Sequence, residues 1–468
     1  MMNEKQTLKE LLENAEGKKL LFLGKEGIFT EKEIARFLKP YKIAVTKYLE
    51  EDVAGVVENH RLNPVEEDIS NDAYDLKLPS YKLTEFEQLL SDEIDDDALL
   101  MAIKLGNDQE RVVRLLGNEH LSDALFVRLL KLYTFDEEEE DNRQDRDVIM
   151  YTLRRYIDIK PNEEDLLYSY LTLRRLATEA EDPALLEALM GFPNFSFLVR
   201  GREKVSLKET IARNPHIDEG LVRKLLSLRD RKVDVALSGN KAVSLDVLKH
   251  LYAKEDTAVL KALATNTTID NELFGALLEK EEAVVSLLLI HQPIDAERFA
   301  QVEAAGLPVE LMALIGANEQ LSSDVMLSLT EKESPEILAA LSGNSTVSSA
   351  LLEQIYQLDI EETFPSLAKN PVTPAWILQA FYEEYGDDTA MLAALAHNPS
   401  LPEAQLRKLF EKDNLEINRG LATNAALPPE FLDVLKLDTR LQNELAQNIR
   451  LAESFEKVLN QHKVMLNV

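Results

Sequence analysis

Asparagine recurs along the C-terminal half of this chain at an almost constant step, and its neighbours recur with it. The series runs Ile211-Ala212-Arg213-Asn214, Leu237-Ser238-Gly239-Asn240, Leu263-Ala264-Thr265-Asn266, Ile315-Gly316-Ala317-Asn318 and Leu341-Ser342-Gly343-Asn344. It continues through Leu367-Ala368-Lys369-Asn370, Leu395-Ala396-His397-Asn398, Leu421-Ala422-Thr423-Asn424 and Leu445-Ala446-Gln447-Asn448. The steps between asparagines are 26, 26, 52, 26, 26, 28, 26 and 24 residues. The double step has His291 near the missing asparagine. A fixed period of this size marks stacked supersecondary units, each too small to bury its apolar face alone.

The flanking positions define the unit. Three residues after the asparagine stands an aliphatic side chain, as in Ile217, Val243, Ile269, Leu321 and Val347. Further apolar positions follow at seven, eight and eleven, as in Leu273, Phe274 and Leu277. That spacing is one face of an α-helix. A small residue two before the asparagine lets neighbouring helices approach. Each unit therefore reads as a short helix ending at Asn, a tight turn and a second helix. Asn is expected to take the left-handed conformation that ends helices, and His291 to be a turn residue. Pro215, Pro371 and Pro399 stop the first helix, while Pro374, Pro428 and Pro429 suit the start of the next. An outlying copy is Leu115-Leu116-Gly117-Asn118. The predicted fold is mainly α: an α-solenoid of about 26-residue helical repeats behind a small α/β domain.

Leu395-Ala396-His397-Asn398-Pro399-Ser400-Leu401-Pro402 and Leu421-Ala422-Thr423-Asn424 carry a resemblance to the leucine-rich repeat variant family of bacterial proteins, over about residues 205–466. The resemblance implies alternating helices in a right-handed superhelix. The family's cysteine-ligated cluster is impossible here, because the chain has no cysteine.

Three segments are expected: a small α/β domain over 1–95, an irregular helical region over 96–204 with an acidic loop at 134–147, and the repeat array over 205–468. In the first, Lys19–Gly24 reads as a buried strand, and Thr30-Glu31-Lys32-Glu33 as a capping box opening a helix. Ile43–Val45 and Val53–Val57 read as further strands, and a helix opens at Thr84. This order is similar to a BRCT domain over about residues 15–95. The position before Gly24 is Leu23, where phosphopeptide-binding members carry Ser or Thr.

Composition narrows the function. Lys and Arg total 52 against 84 Asp and Glu, a net charge of -32. Such a field opposes general nucleic-acid binding and docking on anionic membranes. The apolar runs are too short to span a bilayer, and the first residues lack the apolar core of a signal peptide, so a cytoplasmic protein is expected. Without cysteine there are no disulfides, thiolate metal sites or thiol nucleophiles. Seven histidines show no ligand spacing, and no His-Glu-x-x-His, Gly-x-Ser-x-Gly or phosphate-binding glycine loop is present. The sequence thus predicts a non-enzymatic, cofactor-free, metal-free scaffold for a protein partner; nothing in it assigns an oligomeric state.

Two alternatives stay open: nucleic-acid or phosphopeptide binding through the central arginines, and an enzyme with a site in the N-terminal domain. Residues 143–232 hold 12 Arg and 5 Lys against 15 acids, and are thereby the least acidic stretch. Arg154, Arg155, Arg174 and Arg175, then Arg200 and Arg202, are the candidate partner-binding residues. They serve either an anionic partner, which Arg binds through paired hydrogen bonds, or internal salt bridges.

Overall fold

A computed structural model describes residues 6–25, 27–93, 95–136, 142–157, 170–199 and 203–448. The chain is mainly helical, with a small parallel sheet near its N-terminus ahead of a body of helical repeats. It divides into two compact units, Met1–Ala236 and Leu237–Val468.

The first unit starts with helix α1 (Leu8–Asn14), opened by a capping box of Thr7 and Glu10. Strand β1 (Lys19–Leu23) follows, with Leu20 and Leu21 wholly buried. Helix α2 (Glu31–Leu38) begins at the Thr30–Glu33 capping box read from the sequence. Strands β2 (Ala44–Thr46) and β3 (Val53–Glu58) flank β1 in parallel, and β4 (Ser80–Lys82) pairs with β3. The sheet order is β2-β1-β3-β4. Parallel neighbours need crossovers, supplied by α2 and by α3 (Pro64–Asp75). Helix α4 (Leu83–Asp92) continues directly from β4. Its Phe86 is fully buried and meets the rings of Phe22 and Phe37 edge-on at 5.1 and 5.7 Å. Helices α1 and α3 and strand β4 go beyond the sequence reading. Only Ala73 of α3 is fully buried, so the apolar stripe that reveals a helix is too thin there.

The segment expected to be irregular already contains repeat-like pairs. Helices α5 (Asp96–Gly106), α6 (Gln109–Leu116) and α7 (Asp123–Leu130) lead to α8 (Arg143–Tyr156), which begins inside the expected loop 134–147. Acidic residues 137–141 lie outside the described residues. Helices Tyr170–Glu179 and Pro183–Leu189 precede an antiparallel hairpin of β5 (Ser196–Val199) and β6 (Glu203–Ser206). Asn118, between α6 and α7, is wholly buried, accepts the His120 N–H on Oδ1 and donates Nδ2 to Ser91 Oγ at 2.8 Å. Asn214 donates Nδ2 to the carbonyls of Ala177, Thr178 and Ala180. Ala180 thus stands where other units place Asn, and having no amide it leaves no trace in the sequence pattern.

In the second unit the asparagines form a ladder. Asn344 donates Nδ2 to the carbonyls of Gly316 and Asn318 at 2.9 and 2.8 Å, and its Oδ1 accepts the Thr346 N–H. Asn266, Asn370, Asn398, Asn424 and Asn448 likewise bond the small residue and the asparagine of the preceding unit. The small residue is thus one acceptor of the clip. Each asparagine thereby satisfies helix-end carbonyls that would otherwise be buried unpaired.

Two expectations are corrected. The asparagines are extended, not left-handed: Asn344 has φ -78 and ψ 119, and Asn398 φ -79 and ψ 117. Positive φ instead falls 15 residues later, at Arg229, Glu255, Glu333, Asp359 and Asp413, where the second helix reverses into the next unit. The missing rung is filled by Gln292, not His291. Gln292 Nε2 bonds the carbonyls of Ala264 and Asn266 at 2.9 Å, and His291 is an exposed helix-terminal residue.

First helices stack on first helices: Thr257–Thr265 on Glu282–His291, Val309–Gly316 on Pro335–Gly343, and Thr389–His397 on Leu415–Thr423. Glycine sets the approach at two of these contacts. A Cβ on Gly316 would lie 2.9 Å from the Ile337 carbonyl, and one on Gly420 2.6 Å from the Ala393 carbonyl.

Candidate functional site

Open parallel sheets bind ligands where the crossovers diverge, beyond the carboxyl ends of the strands. In this sheet that place lies between β1 and β3. The turn after β1 needs Gly24, whose φ is +93 and whose Cβ, if it had one, would meet Asn59 at 2.7 Å. The donors there are taken. Gly24 N–H donates to Glu66 Oε1 at 3.1 Å, and Asn63 N–H to Glu66 Oε2 at 2.9 Å. The chain's own carboxylate therefore occupies the position an anion would need, which opposes a phosphate.

A second carboxylate lies deeper. Glu87 of α4 is buried and accepts the Ile28 N–H at 2.6 Å. Burial raises its pKa, and the backbone donors of Ile28 and Phe29 pull it partly back. Gly27 is required beside it, since a Cβ there would be 2.0 Å from Glu87 Oε1.

The largest cavity, about 920 Å³, runs along β4 between the start of α1 and the end of β3. Its polar lining includes Thr7, Glu58, His60, Tyr81, Lys82 and Glu85. Glu58 accepts from Ser70 Oγ, Tyr81 donates to the Gln6 carbonyl, and His60 Nδ1 meets Asn59 Oδ1 at 2.6 Å. These groups are held by neighbours and no nucleophile is paired with a base among them. Among the described residues, no three His, Asp or Glu side chains are grouped to hold a metal.

The predicted arginines separate. Arg155 is drawn inward: its Nε lies 2.7 Å from Asp123, an Nη donates to the Leu121 carbonyl, and its guanidinium covers the Phe126 ring at 4.9 Å. Arg175 pairs with Glu179 one turn along its own helix at 3.0 Å. Arg154 is exposed and Arg174 half-buried, and neither has an ion pair among the described residues. They sit on α8 and Tyr170–Glu179, which touch. Arg200 and Arg202 lie outside the described residues. Between α7 and α8, burial and Asp123 push the Tyr156 hydroxyl up to about 12.

Aromatic rings in the second unit form a pattern the sequence reading missed. Lys280 Nζ lies 4.9 Å from the centre of the Tyr252 ring and 3.5 Å from Glu255. Lys332 covers Phe299 at 5.7 Å and pairs with Glu303 at 2.7 Å. Arg407 covers Phe431 at 5.1 Å and pairs with Glu403 and Glu430. A separate cluster joins Tyr356 to Trp376 and Phe381, both at 5.4 Å, and Phe381 to Tyr385 at 6.2 Å. The signal was available: aromatic and basic residues hold fixed offsets from the ladder asparagines.

No known protein family, curated protein or solved structure matches the chain.

Proposed function

We propose that the protein is a non-catalytic scaffold for protein–protein interaction, working through its helical-repeat surface. The observation that carries this reading is the ladder of Asn266 to Asn448, with Gln292 as one rung. It spends the conserved-step polar groups internally and leaves the second helices free to differ outside. A surface held in this way binds without first being ordered, which lowers the cost of association. Exposed apolar side chains lie on those helices and their ends, with Trp376 49% and Val434 52% exposed.

The repeat step and turn asparagines support the resemblance to the leucine-rich repeat variant family, and the strand–helix order of the first unit supports a BRCT-like domain. The Glu66 carboxylate disfavours a phosphopeptide in that domain. The absence of cysteine supports a reducing, cytoplasmic setting. Affinity capture with the intact chain, followed by mass spectrometry, tests the scaffold reading. A reproducible protein partner, lost when the stack is broken by Asn344→Ala, is the expected result; background proteins alone would overturn it.

A second reading rests on Arg154 and Arg174, which are left without ion pairs among the described residues: an anionic segment of the partner docks on the central helices. Changing both to Gln should then weaken capture and flatten its salt dependence. Unchanged capture would remove this reading.

A further inference from the structure

The cation clamps of the second unit follow a register. Tyr252 and Glu255 stand 12 and 15 residues after Asn240, and the Lys280 they hold stands 14 after Asn266. Tyr356 and Asp359 stand at the same offsets from Asn344, but the residue 14 after Asn370 is Glu384. The aromatic and acidic halves of the clamp are thus present while the cation is replaced by another carboxylate.

The surroundings sharpen the imbalance. Glu353, Asp359, Glu361 and Glu384 have no ion pair among the described residues. Glu353 instead accepts the Trp376 indole N–H at 2.9 Å. The Tyr385 hydroxyl is held above its ordinary pKa by burial first, then by Glu384, Glu361 and Asp359, so these carboxylates bear on one spot. Beside them, Trp376 is 49% and Leu358 37% exposed. Tyr and Trp with an apolar shoulder are the groups that anchor protein interfaces, and a ring face beside carboxylates attracts an ammonium or guanidinium.

We propose that the surface formed by Tyr356, Trp376 and Tyr385 is a docking site for a lysine- or arginine-bearing segment of a partner protein, whose cation takes the place Lys280 fills between Tyr252 and Glu255. The partner's apolar side chains lie on Trp376 and Leu358. The site rests on the scaffold reading and gives it a partner chemistry: basic and partly apolar.

The chain has a single tryptophan, so the emission of Trp376 reports the site directly in the intact protein. The probe is a short peptide with two lysines set among leucines, compared with its glutamine counterpart and with spermine. The lysine peptide should shift the emission saturably, and the glutamine peptide should not. Tyr356→Leu should weaken binding about tenfold. Glu384→Lys, which supplies the clamp with its own cation, should abolish binding while melting no lower than the wild type. Glu310→Lys changes the net charge equally at an exposed position elsewhere and should bind as the wild type does. Equal loss in the two lysine variants would reduce the effect to the net charge of -32 and overturn the site. So would spermine binding as tightly as the peptide, or no response to the peptide. Should Glu384→Lys fail to fold, Asp359→Asn replaces it, with severalfold weaker binding expected and undiminished binding overturning the site. A partner captured equally by wild type and Glu384→Lys would remove this site and leave the scaffold reading standing.

Discussion

A side-chain amide can serve two carbonyls and one N–H, and each ladder asparagine uses all three. For Asn344, 3% exposed, truncation to Ala would strand the carbonyls of Gly316 and Asn318 and the Thr346 N–H. Buried groups left unpaired cost about 1–3 kcal/mol, so Asn344→Ala should lose about 2–4 kcal/mol in urea unfolding, in line with a broken buried network. A loss below about 1 kcal/mol would mean that water repairs the gap. Gln292 shows what the rung requires. Its longer side chain reaches the same two carbonyls, but its Oε1 goes to the buried Arg298, whose Nη1 also bonds the Pro293 carbonyl and whose Nη2 bonds that of Ile269. The asparagines were legible because one residue type recurs at one spacing. Gln292 was not, because the amide is delivered from one carbon further and relies on Arg298, six residues on.

Helix ends show the same division. The first helix was placed correctly, but its terminal Asn was expected to be left-handed. An extended Asn presents its carbonyl to the next unit and its Oδ1 to the residue two ahead, and a left-handed one would turn both away. The reversal is made after the second helix, by residues such as Glu333 at φ 52 followed by the N-cap Ser334. A non-glycine residue pays about 1–2 kcal/mol for that conformation, and glycine's extra unfolded freedom offsets about 0.5–1 kcal/mol. Glu333→Gly should therefore raise stability by about 0.5–1 kcal/mol in a denaturant titration. A decrease would mean that the glutamate side chain stabilises the turn. Positions that no glycine marks cannot be read as left-handed from the sequence, which is why Arg229, Glu255 and Asp413 also escaped notice.

For the molecule as a whole, acid sensitivity follows from its histidine placement as well as its charge. His397 is half-buried, with Nδ1 2.6 Å from Thr423 Oγ1; the Thr423 hydroxyl donates to the Gly420 carbonyl, so Nδ1 carries the proton between them. Burial, and then Lys369, hold the His397 pKa below its ordinary value, against the opposing pull of Glu444. The unfolded chain thus binds the proton more readily. His397 stabilises fully above about pH 6.5 and loses that contribution as pH falls through this value toward the lower folded one. His397→Gln should flatten the pH dependence of unfolding between about pH 7 and 5; an unchanged slope would assign the sensitivity to carboxylates. The ladder has one more consequence. Gly316 and Asn318 present to Asn344 the same pair of carbonyls that Ser342 and Asn344 present to Asn370. Excising residues 319–344 would bring Asn370 against acceptors of the kind it already uses. Such a chain can be shortened or lengthened by unequal recombination in whole rungs, each cut healing on its own geometry while the outward side chains drift independently.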